Sequence, residues 1–371
     1  MNDIYFYKKA LGCITDLSTG DATAKMAKEN AFLGLASIHA AYNHEGASNS
    51  NIRLIALPDF TMTRNKSRWD AGFSYGCVVL MDSELPPLIP VGFRPNCCGV
   101  TMLKLKEDVP CIAEASNRLV EIIKSMPMTD DDDFSRGNHF LAILKRHNSN
   151  DIYALLHSSF GIVKRDSENG PGLYPEKSRH WKSRIKCIDS IGYPFEYLYA
   201  KDAIDYYKTY MKYDEFTKTM RAKAMLELFD GAEIIFNETH EGFYGIDKIL
   251  LGAYVSDIIF EMPIMIAPDQ PVSWVKINKT IDHIAEDSSL PPLYMSPHGA
   301  GYTLNDVINA KSLTKNNSVY EIKYSNKAIM HCSTVQDLMI SYRKNVTEFW
   351  SNRFGGCQKS FDLTPLFFSK V

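Results

Sequence analysis

The sequence predicts an α+β fold with mixed sheets and flanking helices. Three observations lead there. Strand-like and helix-like runs follow one another without the regular βαβ alternation of a doubly wound sheet. Two apolar, β-prone runs, HFLAILK (139–145) and DIYALLH (151–157), are joined by Arg146-His147-Asn148-Ser149-Asn150 and read as a hairpin. The chain has 371 residues with 45% hydrophobic and 12% aromatic content, ample for a sizeable core.

Taken in order, residues 53–57 (RLIAL) read as a strand closed by Pro58 and Asp59, and residues 76–81 (GCVVLM) as a second strand. Pro86, Pro87 and Pro90 then break the chain. Residues 113–126 carry apolar positions at helical spacing. The acidic run 129–133 reads as a solvated loop. Residues 200–228 form a long amphipathic helix, or two. Residues 249–268, rich in Ile, Leu and Val, read as buried strand.

The bulk properties narrow the field. A net charge of −3, with no basic block, restricts any nucleic-acid contact to a local patch. The N-terminus lacks the apolar run of a signal peptide, and no stretch approaches ~18 consecutive apolar residues. Eight scattered cysteines form no CxxC pair, so a reduced, cytoplasmic chain is expected. There is no internal repeat and no low-complexity linker. The length suggests roughly two domains, although single domains of this size occur.

Two features carry chemistry. His139 opens the first hairpin strand and His157 ends the second. A turn centred near Asn148 would set them opposite each other, with Cβ atoms roughly 4.5–5.5 Å apart, placed to share a metal or to hold two neighbouring ones. A slip of one residue would spoil that pairing. Cys97-Cys98, followed by Gly99, offers a thiolate, and thiolate with imidazole suits Zn, Mn or Fe. A buried apolar cysteine and a hydrogen-bonded strand-end histidine are the plainer alternative.

The second feature is SPHGAGYTLND, which holds His298 between a proline and two glycines. It reads as a turn or as a working loop. HGAG loops serve as oxyanion holes in lipases and esterases, and Gly72-Phe73-Ser74-Tyr75-Gly76 supplies a GxSxG pattern. A nucleophile elbow joins a strand to a following helix, whereas this pattern precedes a strand. The loop also comes after the serine rather than before it, so this hydrolase reading is set aside.

In order along the chain, these pieces resemble the RtcB family of RNA ligases. Leu57-Pro58-Asp59 resembles the family's LPD turn, and Val91-Gly92-Phe93 leading to Cys98-Gly99-Val100 its cysteine loop. Gly137-Asn138-His139-Phe140 matches GNHF, and His157-Ser158 with Gly161 resembles HSxSRG. Gly252-Ala253 resembles the GA of RKGA, His298-Gly299-Ala300-Gly301 matches HGAG, and Leu363 to Lys370 resembles the C-terminal end. The likeness is clearest over residues 50–371 and implies one RtcB-like α+β domain across residues 1–371, with a central metal and nucleotide cleft.

The resemblance implies a GTP- and Mn2+-dependent ligase that joins RNA 3′-phosphate (or 2′,3′-cyclic phosphate) and 5′-hydroxyl ends, in RNA repair or tRNA splicing. His298 would be the guanylylated nucleophile; neutral imidazole suits such transfer and flanking glycines admit a crowded phosphate. Cys98, His139 and His157 would hold metal, Asn138 would contact the guanylate phosphate, and Lys370 would meet the guanine. Arg221 resembles an arginine of a family helix. Helper proteins are not specified.

The departures fall on chemistry. Arg94-Pro95-Asn96 stands where the family has an aspartate ligand, and residues 230–236 occupy the place of its third histidine. Ala142, Phe160, Leu250-Leu251 and Tyr302 replace a glutamate, an arginine, an Arg-Lys pair and another arginine. At most one well-held ion is therefore expected. A relative that binds RNA or nucleotide without turnover, and a metal-dependent hydrolase, are the alternatives.

Overall fold

The computed structural model describes residues 3–47, 49–106, 112–126, 139–190, 192–265, 270–304, 310–316, 319–324, 329–332 and 340–370. The fold is α+β. A seven-stranded sheet runs in the order Glu233–Thr239, Gly99–Lys104, Ile152–Ser158, Phe140–Arg146, Gln358–Lys370, Val272–Ile277, Phe260–Ile264. Every neighbouring pair in it is antiparallel. A five-stranded sheet runs Ile14–Asp16, Arg53–Thr61, Tyr75–Leu80, Lys248–Leu251, Glu241–Phe243, and only its first pair is parallel.

Side-chain alternation packs these layers. Ile55, Leu57 and Val78 of the smaller sheet share a core with Met102, Ala142 and Leu155 of the larger one. Their neighbours Leu54, Ala56, Cys77 and Val79 face the other way, onto the long helix Ala22–His44. In the larger sheet Leu103, Leu141, Ile143 and Ala154 turn outward onto the helices Ile112–Ser125 and Lys201–Leu228. The two-residue period of a strand thus makes two apolar faces per sheet, each covered. Each fully buried Leu or Ile contributes about 1.5–3 kcal/mol of transfer free energy.

Several expectations are corrected. The strand of residues 53–57 does not stop at Pro58; it continues to Thr61. Its pairing with Tyr75–Leu80 skips between Ala56 and Thr61, a bulge that accommodates a proline with no N–H to donate. Gly76 permits that bulge: at φ +76°, an added Cβ would lie 2.5 Å from the Asp59 carbonyl carbon. The long helix expected over residues 200–228 is present, as one helix rather than two, Lys201–Leu228. The apolar stretch 249–268 divides into Lys248–Leu251, Ala253–Ser256 and Phe260–Ile264, broken first at Gly252 with φ +69°. The acidic run 129–133 lies outside the described residues, as does Asn138.

The hairpin forms, with its register one residue from expectation. His157 pairs with Phe140, not His139, because Arg146 N–H donates to the Asp151 carbonyl and leaves four residues in the loop. Asn148 takes the left-handed conformation there, at φ 59°.

The helix Ala22–His44 begins at Asp21, whose carboxylate caps Ala24 N–H at 2.9 Å. Arg343 grips the same carboxylate with Nε at 2.6 Å and Nη2 at 2.9 Å, and donates to the Phe60 carbonyl at 2.9 Å. Burial raises the Asp21 pKa, but the Arg343 hydrogen bonds and charge outweigh it and hold the pKa below the usual carboxylate range. Asp21→Asn keeps the cap and removes the charge. It is expected to cost about 1–2 kcal/mol near neutral pH. A depressed carboxylate stabilises above its unfolded pKa and loses that contribution as pH falls through the folded value. The gap between wild type and variant therefore closes below about pH 4, as urea unfolding at pH 7 and pH 3 would show.

Candidate metal centre

Three neighbouring strands end together. Val100 pairs with His157 and Gly99 with Ser158. On the other side of the same strand, Gly99 pairs with Thr239. This register delivers Cys98, His157 and His240 to one point, and His240 N–H donates to the Cys98 carbonyl at 3.0 Å. The His157 and His240 Nε2 atoms are 3.2 Å apart, and the Cys98 Sγ is 3.3 Å from His157 Nε2. All three ligand atoms lie within 4.8 Å of one another and all three residues are buried. Two imidazole nitrogens on one tetrahedral ion would be separated by about 3.3 Å, and nitrogen from sulfur by about 3.6 Å. The spacing therefore fits the ligands of a single ion.

The donor chemistry fits as well. Burial, then the neighbouring His298, His157, Arg221 and His139, push the His240 pKa well below its ordinary value. His240 is thus neutral, as a ligand must be. Its Nδ1 lies 3.1 Å from the Tyr254 hydroxyl, which fixes the ring. Cys97 belongs elsewhere: it sits in the apolar core beside Tyr206 and Tyr210 of the helix Lys201–Leu228, and burial pushes its thiol pKa well up.

His139 stands one ring further out. Its ring centroid is 5.9 Å from that of His157, and its Nε2 lies 3.3 Å from both the backbone nitrogen and Oγ of Ser159. The one-residue shift of the hairpin accounts for this, and His139 is not among the three clustered ligands.

His298 approaches the cluster from the other side, 4.7 Å from His240 between ring centroids. Its Nδ1 is 2.7 Å from Asp59 Oδ2, and the backbone N–H groups of His298 and Gly299 donate to the same oxygen at 3.2 and 3.3 Å. Asp59 is fully buried, and its Oδ1 has no hydrogen-bond partner among the described residues. An Nδ1–H bonded to a carboxylate leaves the lone pair on Nε2. Burial lowers the His298 pKa, but the hydrogen bond and charge of Asp59 more than offset it, and the net shift is upward. Gly252 is required beside this ring: an added Cβ would lie 2.7 Å from both His298 Cε1 and Tyr75 Cδ1.

Two buried arginines clamp the cysteine loop, which carries left-handed Arg94 (φ 48°) and Cys97 (φ 54°). Arg68 donates to the Phe93 and Arg94 carbonyls at 2.9 and 2.7 Å, to Glu241 at 2.7 Å, and to the Tyr75 hydroxyl. Arg221 donates to the Cys97 carbonyl at 3.0 Å. Both guanidinium groups are engaged within the fold.

Of the residues singled out from sequence, Cys98, His157 and His298 come together, with His139 beside them. Lys370 ends a strand in which its backbone pairs with Phe140, next to His157 in the sheet. Sequence reasoning gave no ligand role to His240, which supplies the second imidazole of the cluster, and took Asp59 as a strand terminator within an LPD-like turn without assigning it a partner. No signal short of strand register would have found His240. Ser74 of the GxSxG pattern is buried and bonded to the Ala27 carbonyl at 3.3 Å, in keeping with its dismissal as a nucleophile.

Models of known protein families give no match to this chain, and comparison with curated proteins gives none either.

Proposed function

We propose that the protein is an RtcB-like RNA ligase, joining a 3′-phosphate or 2′,3′-cyclic phosphate end to a 5′-hydroxyl end with GTP and Mn2+. One observation carries this reading: the His298 imidazole, oriented by Asp59 at 2.7 Å, stands ring to ring with His240 of the Cys98–His157–His240 cluster. A nucleophile with its lone pair on Nε2 beside a set of metal ligands suits phosphoryl transfer.

In this reading His298 Nε2 attacks the α-phosphorus of GTP. An N–P bond forms, the α–β phosphoanhydride breaks, and pyrophosphate leaves. An oxygen of the RNA 3′-phosphate then takes the guanylyl group and frees His298. The 5′-hydroxyl attacks the activated RNA phosphate, a phosphodiester forms, and GMP departs. Asp59 holds the imidazole in the reactive tautomer and balances the positive charge it gains on attack. The metal held by Cys98, His157 and His240 would neutralise phosphate oxygens. The resemblance adds His139 as a further ligand, Asn138 at the guanylate phosphate and Lys370 at the guanine.

A second reading, a relative that binds RNA or nucleotide without ligating it, is favoured by one observation. Phe160, Leu250 and Leu251 are buried apolar residues where the family carries cations, and Arg68 is neutralised by Glu241. Incubation with Mn2+ and GTP labelled at the α-phosphate separates the two. The ligase reading expects acid-labile label on the wild-type chain and none on His298→Ala. Absence of label on the wild type, where an active ligase of this kind is labelled, would remove the ligase reading in favour of the binding role.

A further inference from the structure

Among the described residues, the edge strands of the seven-stranded sheet are Glu233–Thr239 and Phe260–Ile264. Both border one cavity of about 540 Å3, whose third side is the helix Lys201–Leu228. That volume is ordinary for a small-molecule site. Aromatic residues contribute to its walls: Phe236 and Tyr254 are buried, while Tyr244 and Phe260 are half-buried. Its charges are Asp214, Lys218, Glu238 and Glu261. Lys218 is already held by Glu238 at 2.7 Å and Asp214 at 3.4 Å. Glu261 is oriented by Trp274 Nε1 at 2.7 Å, and it stands exposed with Glu238 at the mouth. Three carboxylates against one ammonium leave two negative charges in excess.

We propose that this cavity binds an organic cation, an alkylammonium or guanidinium head on an apolar body. The carboxylates attract the head, and the aromatic walls take both the body and, by cation–π attraction, the charge. An anion would meet the excess negative charge and a lysine already paired twice. The site lies outside the metal cluster but touches it through Tyr254, which lines the cavity and holds His240 Nδ1 at 3.1 Å. A ligand here would press on the residue that orients a metal ligand.

The test uses the full chain, freed of metal, titrated in a calorimeter with benzyltrimethylammonium and with neutral benzyl alcohol. The expected result is a Kd of about 1 mM or tighter for the cation and binding at least about tenfold weaker for the alcohol. The Glu238→Gln/Glu261→Gln variant, altered at two exposed positions, is expected to lose at least about fivefold of the cation's affinity with an unchanged melting curve. No heat with the cation, equal affinity for the two compounds, or full affinity in the folded double variant would each overturn the proposal. Because no metal or GTP is present, failure here leaves the ligase reading standing, and absence of GTP labelling leaves this one standing.

Discussion

Asp59→Asn is expected to slow guanylylation of His298 by about 10³-fold while the protein still folds. The substitution keeps the shape of a fully buried side chain. It also leaves an oxygen for the N–H groups of His298 and Gly299, now 3.2 and 3.3 Å from Oδ2. The negative charge is lost, however. All three donors meet the single atom Oδ2, so the amide oxygen stays there and keeps the tautomer, and what is lost is the charge that stabilises the imidazolium formed on attack. The pH profile gives a second readout. Asp59, through its hydrogen bond and charge, raises the His298 pKa against the opposing effect of burial. The wild-type rate should therefore climb with pH as His298 deprotonates, and the variant's climb should come at lower pH and reach a lower plateau. Single-turnover labelling across pH measures both. An unchanged rate would remove Asp59 from the reaction, and a collapsed circular-dichroism spectrum would identify its role as structural.

His240→Ala is expected to weaken metal binding by at least about 100-fold. That exceeds the 10–100-fold typical of groups that only orient a ligand, which is the loss expected of Tyr254→Phe. The reason is convergence: removing one of three donors whose atoms lie within 4.8 Å leaves a two-point site in a buried space. Cobalt provides the readout. Loaded wild type should show thiolate-to-cobalt charge-transfer absorption, which Cys98→Ser removes and His240→Ala weakens. One sulfur and two nitrogens, with no carboxylate in the cluster, should also hold Zn2+ or Co2+ more tightly than Mn2+ in competition. A His240→Ala protein with wild-type metal affinity would sink the cluster as a metal centre.

Much of this was readable before any fold was known. The mixed strand and helix runs gave α+β, and the hairpin turn brought His139 and His157 to one end. Gly99 pointed to Cys98 rather than Cys97, and the Cys98 thiol is the one found beside His157. Two readings failed for local reasons. Pro58 looked like a strand end because it has no N–H, yet a bulge carries the strand past it. The hairpin centre was misplaced by one residue because the loop holds four residues rather than an odd number, and that parity decides which side chains stand opposite.

The amino-acid order alone singled out residues with the means for chemistry: a histidine among glycines, a thiol before a glycine, two histidines at strand ends. Local spacing is short-ranged and sufficient for that. Only the tertiary structure decided that His240 completes the cluster and that Asp59 grips His298. Those partners lie 83 residues from His157 and 239 from His298 along the chain. Such pairs meet through strand register and sheet packing, which depend on how distant segments bury their apolar faces together, and no local pattern records that outcome.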